Sequence, residues 1–321
     1  VHNCEGPLEV NSHIILALDV GGTTVKSALC DLHGQLVSGV NITSVDLRGS
    51  RSVILKRFSE ILTGLVAQSN KMNLEPVGLA VAFPGPFDYE KGICLIKGVN
   101  KYEALYGMDL SGFFRNEVTV TELFPVIFDA DSWAFTRGQY LKGAAIGARR
   151  IIGITIGTGL GSAFMEEGRI VQNERGIPPY GWIGNLPFGK GILDDRISRR
   201  GILARYREIS DSLQVDLDVK DLYNLAVKGD TVCMKLFCET GSLLAEALIP
   251  FIKIFYPDVI VLGGKISGAY EFIGPALRKE LEANLGSINL PKILKAIDPD
   301  SSTLSGLALH LAEICFGGGS I

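Results

Sequence analysis

The chain has 321 residues, 47% of them hydrophobic, with a formal net charge of −4; this excludes a disordered polymer, and the length suits two α/β domains better than one. Lys and Arg are scattered along the chain, which argues against a nucleic-acid partner, because phosphate-backbone binding needs a concentrated basic footprint. Val1 to Ser12 carry no basic stretch followed by an apolar one, and no apolar run reaches the roughly 18 residues of a spanning helix, so a cytoplasmic protein without membrane contact is expected.

Ile14 to Val20 is a β-branched apolar run that stops at Gly21-Gly22, the pattern of a buried strand entering a tight turn. Val25 to Cys30 leads back, Asp31 to Gly34 turns again, and Gln35 to Val40 reads as a third strand of a meander. Ser52 to Val66 places apolar residues at helical spacing with one buried face. Pro76 to Phe83 and Pro125 to Phe128 read as further buried strands, each running into a turn where a ligand could sit.

From Arg150 the pattern starts again: Ile151 to Ile156 is a strand, Gly157-Thr158-Gly159-Leu160-Gly161 a turn, Ser162 to Met165 a return strand, and Arg169 to Val171 a third. Gly22-Thr23 falls on Gly157-Thr158 and Ser27-Ala28 on Ser162-Ala163 at one offset of 135, as a duplicated pair of domains would produce. Gly176 to Gly191 is irregular and a candidate substrate loop. Helices are expected over Val219 to Val227, Val232 to Phe255, Tyr270 to Leu285 and Ser305 to Cys315, with strands at Val259 to Leu262 and Ile293 to Ile297. Strands alternating with helices imply an α/β architecture.

The cysteines, at 4, 30, 94, 233, 238 and 315, suggest neither disulfides nor a zinc cluster; the C-x4-C pair falls in a helical pattern, and buried free thiols are expected.

Three glycine-rich strand ends carry the chemistry. In Asp19-Val-Gly21-Gly22-Thr23-Thr24-Val-Lys26, paired glycines let backbone N–H groups and threonine hydroxyls approach phosphate oxygens, and Asp19 stands where it could hold a hydrated Mg²⁺. Gly157-Thr158-Gly159 offers a second cradle, and Gly263-Gly264 ends a buried strand where a flat adenine or ribose could come close. The Walker spacing is absent, and Ser162 breaks the dinucleotide fingerprint. Asp129 lies between a buried strand and a helix opened by Ser132, a position that suits either a general base or an N-cap.

Taken together, these motifs resemble the ROK family of sugar kinases and repressors, within the hexokinase and actin superfamily. Ala82-Phe-Pro84-Gly85-Pro86 is similar to the family's G-x-P-G substrate loop, Asn100 stands where a sugar-site asparagine is usual, and Phe128-Asp129-Ala130-Asp131 is similar to N-D-A-N. The resemblance implies a two-domain actin-like, ribonuclease H-like α/β fold with an interdomain cleft. Its domains would be 12–131, to which a helix over 305–321 returns, and 132–304. It further implies ATP and Mg as cofactors, a sugar as substrate, Asp129 as catalytic base, and a homodimer.

The chain departs from the family's E-x-G-H motif, having Trp182 and Asn185 where the acid and histidine would be, and no cysteines follow to form the zinc site. Asn185 could still bond a hydroxyl, Trp182 could stack on a pyranose or pack in place of the lost zinc module, and Asp194, which resembles the acidic residue after the last zinc cysteine, could accept from a substrate hydroxyl. A sugar-responsive regulator with weak or no kinase activity is the alternative, as is an acyl or amino-sugar kinase of the same superfamily.

Overall fold

The computed structural model describes residues 12–98, 101–118, 123–210, 217–286 and 290–317. The chain divides into two compact units, one running to Ala134 and resuming at Asp300, the other Phe135–Pro299. No helix among the described residues is long and apolar enough to cross a membrane.

The first unit holds β1 (His13–Val20), β2 (Thr24–Cys30), β3 (Asn41–Ser44), α1 (Arg51–Lys71), β4 (Glu75–Phe83), the short pair β5 (Phe87–Asp88) and β6 (Ile93–Cys94), α2 (Leu110–Val118), β7 (Val126–Ala130) and the start of α3 (Asp131–Lys142). Its sheet has the order β3-β2-β1-β4-β7. The first three strands are antiparallel, and β4 and β7 run parallel to β1. Alternation along β1 divides its side chains between two layers. Ile14, Leu16 and Leu18 meet Ile54, Phe58, Ile61 and Leu62 of α1. Ile15 and Ala17 face the other way, with Ala80 and Ala82 of β4, onto Leu304, Leu307, Ala308 and Leu311 of the last helix, Pro299–Phe316. The small residues on that face let the helix come close: a Cβ at Gly78 would stand 2.8 Å from the Leu311 side chain.

The second unit repeats the plan with β8 (Arg150–Ile156), β9 (Leu160–Glu166) and β10 (Arg169–Val171). The short strands β11 (Pro187–Phe188) and β12 (Gly191–Ile192) follow, then α4 (Asp194–Ile197), α5 (Arg199–Ile209), α6 (Val219–Val227), α7 (Thr231–Phe255), β13 (Val259–Gly263), α8 (Tyr270–Leu285) and β14 (Lys292–Lys295). The helix Pro299–Phe316 is therefore α9. Strand order is β10-β9-β8-β13-β14, with the same pattern of directions as in the first sheet. Ile152, Ile154 and Ile156 pack against Leu244 and Leu248 of α7.

The repeat has one irregularity. β1 and β2 last pair at Val20 and Val25, with four residues between, whereas β8 and β9 last pair at Ile156 and Leu160, with three. The offset of 135 thus holds for the outgoing strands and fails by one for the incoming ones, Gly21 being the extra residue.

The last helix opens at Pro299, six residues before the expected Ser305, and three further expectations are corrected. The third strand is Asn41–Ser44, because Leu36 forms only an isolated bridge to Cys30 and the ladder on β2 resumes later. Asp129 lies inside β7, since pairing with β4 continues to Ala130, and α3 opens at Asp131. Cys30, Cys94 and Cys233 are buried, but Cys238 and Cys315 are exposed. Five residues carry a helical position about 140° round the axis, so Cys233 faces the core of α7 and Cys238 faces solvent; Cys4 lies outside the described residues.

Candidate active site

In the first unit, Asp19 of β1 pairs with Ala82 of β4, and Ala82 with Asp129 of β7. Residues in register across a sheet share a face, so the two carboxylates stand two strand spacings apart, roughly 10 Å, on the α9 face. All three strands are parallel and end here, and the carboxyl ends of parallel strands are where open α/β sheets take ligands.

The turn after Asp19 is fixed by local bonds: Gly21 N–H donates to the Thr24 carbonyl at 2.9 Å, and Val45 N–H to the Thr23 carbonyl at 3.1 Å. Thr23 is exposed, and Gly22 and Thr24 are half-buried. Tyr102, fully buried, donates its hydroxyl to the Gly21 carbonyl at 3.1 Å, and burial raises its phenol, Asp19 adding to the effect.

Lys26 lies 3.4 Å from Asp19 Oδ2 and 2.6 Å from Asp300 Oδ1, the latter in the first turn of α9. Burial raises the Asp19 carboxyl; Lys26 opposes this, and Asp131 and Asp300 reinforce it. Burial pulls the Lys26 ammonium down, but Asp19 and Asp300 outweigh it and the net shift is upward. Asp131 is open to solvent by surface area yet crowded by protein, and that desolvation raises its carboxyl against Lys101 and the Ser132 N–H. Asp129 is 1% exposed, and its Oδ2 lies 3.0 Å from His310 Nδ1 of α9. Pro84, buried, and Gly85 follow β4 directly, before a cis Gly85-Pro86 bond. Asn100 lies outside the described residues.

In the second unit the turn is Gly157-Thr158-Gly159. Gly157 N–H donates to the Gly159 carbonyl at 2.9 Å, and the Gly157 carbonyl accepts from Arg199 N–H, also at 2.9 Å. Asp194 closes the turn: its Oδ1 accepts from Leu160 N–H at 2.5 Å, and its Oδ2 pairs with Arg200 at 2.7 Å. Both oxygens are thus engaged with the turn and its flank.

Thr155, the counterpart of Asp19, pairs with Gly263. Gly263 lies under the Phe135 ring, and Gly264, at φ +81°, has a position whose Cβ would strike the Ile156 backbone, so neither tolerates a side chain without rearrangement. Ser267 Oγ donates to the Gly264 carbonyl at 2.7 Å.

Trp182 is pinned from both sides by one buried serine. Ser162 Oγ donates to the Gly181 carbonyl at 2.6 Å and accepts from Ile183 N–H at 2.9 Å. Half-buried, the Trp182 ring stacks on Tyr180 at 4.8 Å and 26°. Asn185 is exposed, in a turn closed by Leu186 N–H to the Ile183 carbonyl at 3.0 Å. Among the described residues no group of three or more His, Cys, Asp or Glu side chains could hold a metal ion.

Asp19, Gly21, Gly22, Thr23, Thr24, Lys26, Pro84, Gly85 and Asp129 thus gather at the strand ends of the first unit. Gly157, Thr158, Gly159, Gly263, Gly264 and Asp194 gather at those of the second, with Trp182 and Asn185 on the following loop. Sequence reasoning missed Tyr102, Asp300 and His310. His310, one of four histidines and set inside the apolar run of the last helix, is the one that could have been flagged.

The model of the ROK family matches residues 15–313. The glucokinase of Halalkalibacterium halodurans is 24% identical, over 90% of this chain and 90% of its own. The DNA-binding transcriptional repressor Mlc of Escherichia coli is 23% identical, over 94% of this chain and 76% of its own. Among solved structures, a ROK family glucokinase from Streptomyces griseus in complex with glucose and AMPPNP superposes with a TM-score of 0.72 at 20% identity, covering 94% of this chain and 99% of that one. The fold is the α/β actin-like fold of these proteins.

Proposed function

The chain belongs to the ROK family, and from that premise we propose that it transfers the γ-phosphoryl group of ATP to a sugar hydroxyl, with Asp129 as general base. The observation that carries this is the register of Asp19, Ala82 and Asp129, two carboxylates on one face at the carboxyl ends of parallel strands.

The Gly21-Gly22-Thr23-Thr24 turn and Lys26 would hold phosphate oxygens, as would Gly157-Thr158-Gly159, while Gly263 and Gly264 would admit the adenosine. The donor set around Asp19 fits Mg²⁺: Asp131 and Asp300 crowd negative charge onto it, which a dication relieves, and contact through water needs no cluster of direct ligands. Held through water by Asp19, Mg²⁺ would supply positive charge to offset that of the phosphates.

Asp129 would accept the hydroxyl proton as the sugar oxygen bonds to the γ-phosphorus and the bond to the ADP oxygen breaks. In phosphoryl transfer most of the acceleration comes from positioning and charge stabilisation, and such a base contributes about 10²- to 10⁴-fold. Pro84, Gly85, Asn100, Trp182 and Asn185 are proposed sugar contacts, Trp182 by stacking on the ring. Asp194 is proposed to hold the second phosphate turn.

The substrate is proposed to be a hexose or amino sugar, since relatives include a glucokinase and an N-acetyl-D-glucosamine kinase. The likeness to a repressor, together with Trp182 and Asn185 in place of the usual acid and histidine, favours one second reading, a sugar sensor with little turnover.

The test is ATP-dependent phosphorylation of a panel of hexoses, amino sugars and their N-acetyl forms, wild type against Asp129→Asn. One sugar phosphorylated, with kcat falling at least about 10²-fold in the variant, supports the kinase reading. Sugar binding without product from any member would favour the sensor.

A further inference from the structure

We infer that His310 on α9 is a positioning residue for Asp129, a role that rests on reading Asp129 as the base. A carboxylate with 1% exposure needs a hydrogen-bond partner, and His310 Nδ1 stands 3.0 Å from Oδ2. An ionised aspartate only accepts, so Nδ1 carries the hydrogen and donates it. With one oxygen held by a ring nitrogen, the carboxylate plane is fixed about the Cβ–Cγ bond, and so is the direction of the second oxygen.

His310 is itself anchored. Leu307 and Leu311, one turn back and one residue on, are buried against the sheet. At the far end of α9, Asp300 bonds Lys26, the lysine of the first phosphate motif. One helix therefore grips both charged groups: the lysine beside the phosphate turn at its first turn, and the base near its end. Asp129 and His310 are 181 residues apart in sequence, so this coupling depends on α9 docking on the first sheet.

The test compares wild type, His310→Leu, His310→Gln and Asp129→Asn in steady-state kinetics with Mg-ATP and D-glucose or N-acetyl-D-glucosamine, together with proton NMR of the unliganded proteins. Removing the donor is expected to lower kcat about 10- to 100-fold, the rate equivalent of a hydrogen bond to a charged group. KM for both substrates should change less than about threefold, because the interaction orients the base rather than the ligand. The glutamine amide can donate from nearly the same place, so His310→Gln should recover part of the loss.

With four histidines in the chain, a downfield ring N–H resonance is assignable by substitution; it should be present in wild type and absent from both His310→Gln and Asp129→Asn. If Asp129→Asn is inactive while His310→Leu keeps wild-type kcat, or if no resonance depends on both side chains, this inference alone falls. If Asp129→Asn retains turnover, or wild type turns over no sugar of the full panel of hexoses, amino sugars and their N-acetyl forms, the base reading falls and takes the positioning role with it.

Discussion

Tyr102 and Asp194 each hold one of the two turns proposed to bind phosphate by one bond to its backbone, from 81 and 34 residues away in sequence. Tyr102→Phe removes the donor to the Gly21 carbonyl while keeping the ring among Phe58 and Phe83. It should cost about 0.5–1.5 kcal/mol of stability, read by denaturant unfolding, and raise KM for ATP. Asp194→Ala removes the acceptor for Leu160 N–H, and KM for ATP should rise about 3- to 10-fold with little change in KM for sugar; Asp194→Asn, which keeps an acceptor, should stay near wild type. A rise confined to the sugar KM would instead restore Asp194 as a hydroxyl acceptor. None of these pairings was legible in the sequence, because each joins residues that only the tertiary fold brings together. The turns themselves were legible, since glycines at the end of a β-branched run leave the backbone few alternatives.

Helices with a clean apolar face, such as α6 and α8, were legible to the residue. α5 was not, because its sequence RRGILARYREI buries an arginine, Arg205, which bonds Glu239, Thr240 and two backbone carbonyls, so its charge pattern does not mark the solvent side. α7 starts at a cap, where Asp230 accepts from Cys233 N–H at 2.8 Å. Asp230→Ala should cost about 1 kcal/mol at neutral pH. The Cys233 N–H, more than the opposing desolvation, holds the Asp230 carboxyl below its ordinary value of 3.8. A depressed folded value means the stabilisation is full above that ordinary value and is lost as pH falls through the folded one, so the difference between wild type and variant should narrow in acid. A gap unchanged down to pH 2 would assign the effect to packing instead. At the end of β13, Gly264→Ala would force a left-handed φ and a Cβ against the Ile156 backbone, and should cost at least about 1–3 kcal/mol by thermal unfolding.

The two sheets have the same strand order and directions, yet the first is completed by a helix encoded after the second. α9 supplies Leu304, Leu307, Ala308 and Leu311 to the face bearing Ile15, Ala17, Ala80 and Ala82. A chain ending at Asp298 should therefore lose hydrogen-exchange protection in β1, β2 and β4 and keep it in β8, β9 and β13; full protection in β1 and β4 would show that the first sheet stands without its second layer. The same arrangement sets an order for synthesis. A ribosome emits all of Phe135–Pro299 before it emits α9, so the unit begun first is the last that can close. At about 5–20 residues per second its alanine-lined face waits on the order of ten seconds or more, an interval in which a ribosome-associated chaperone would find an apolar surface to cover.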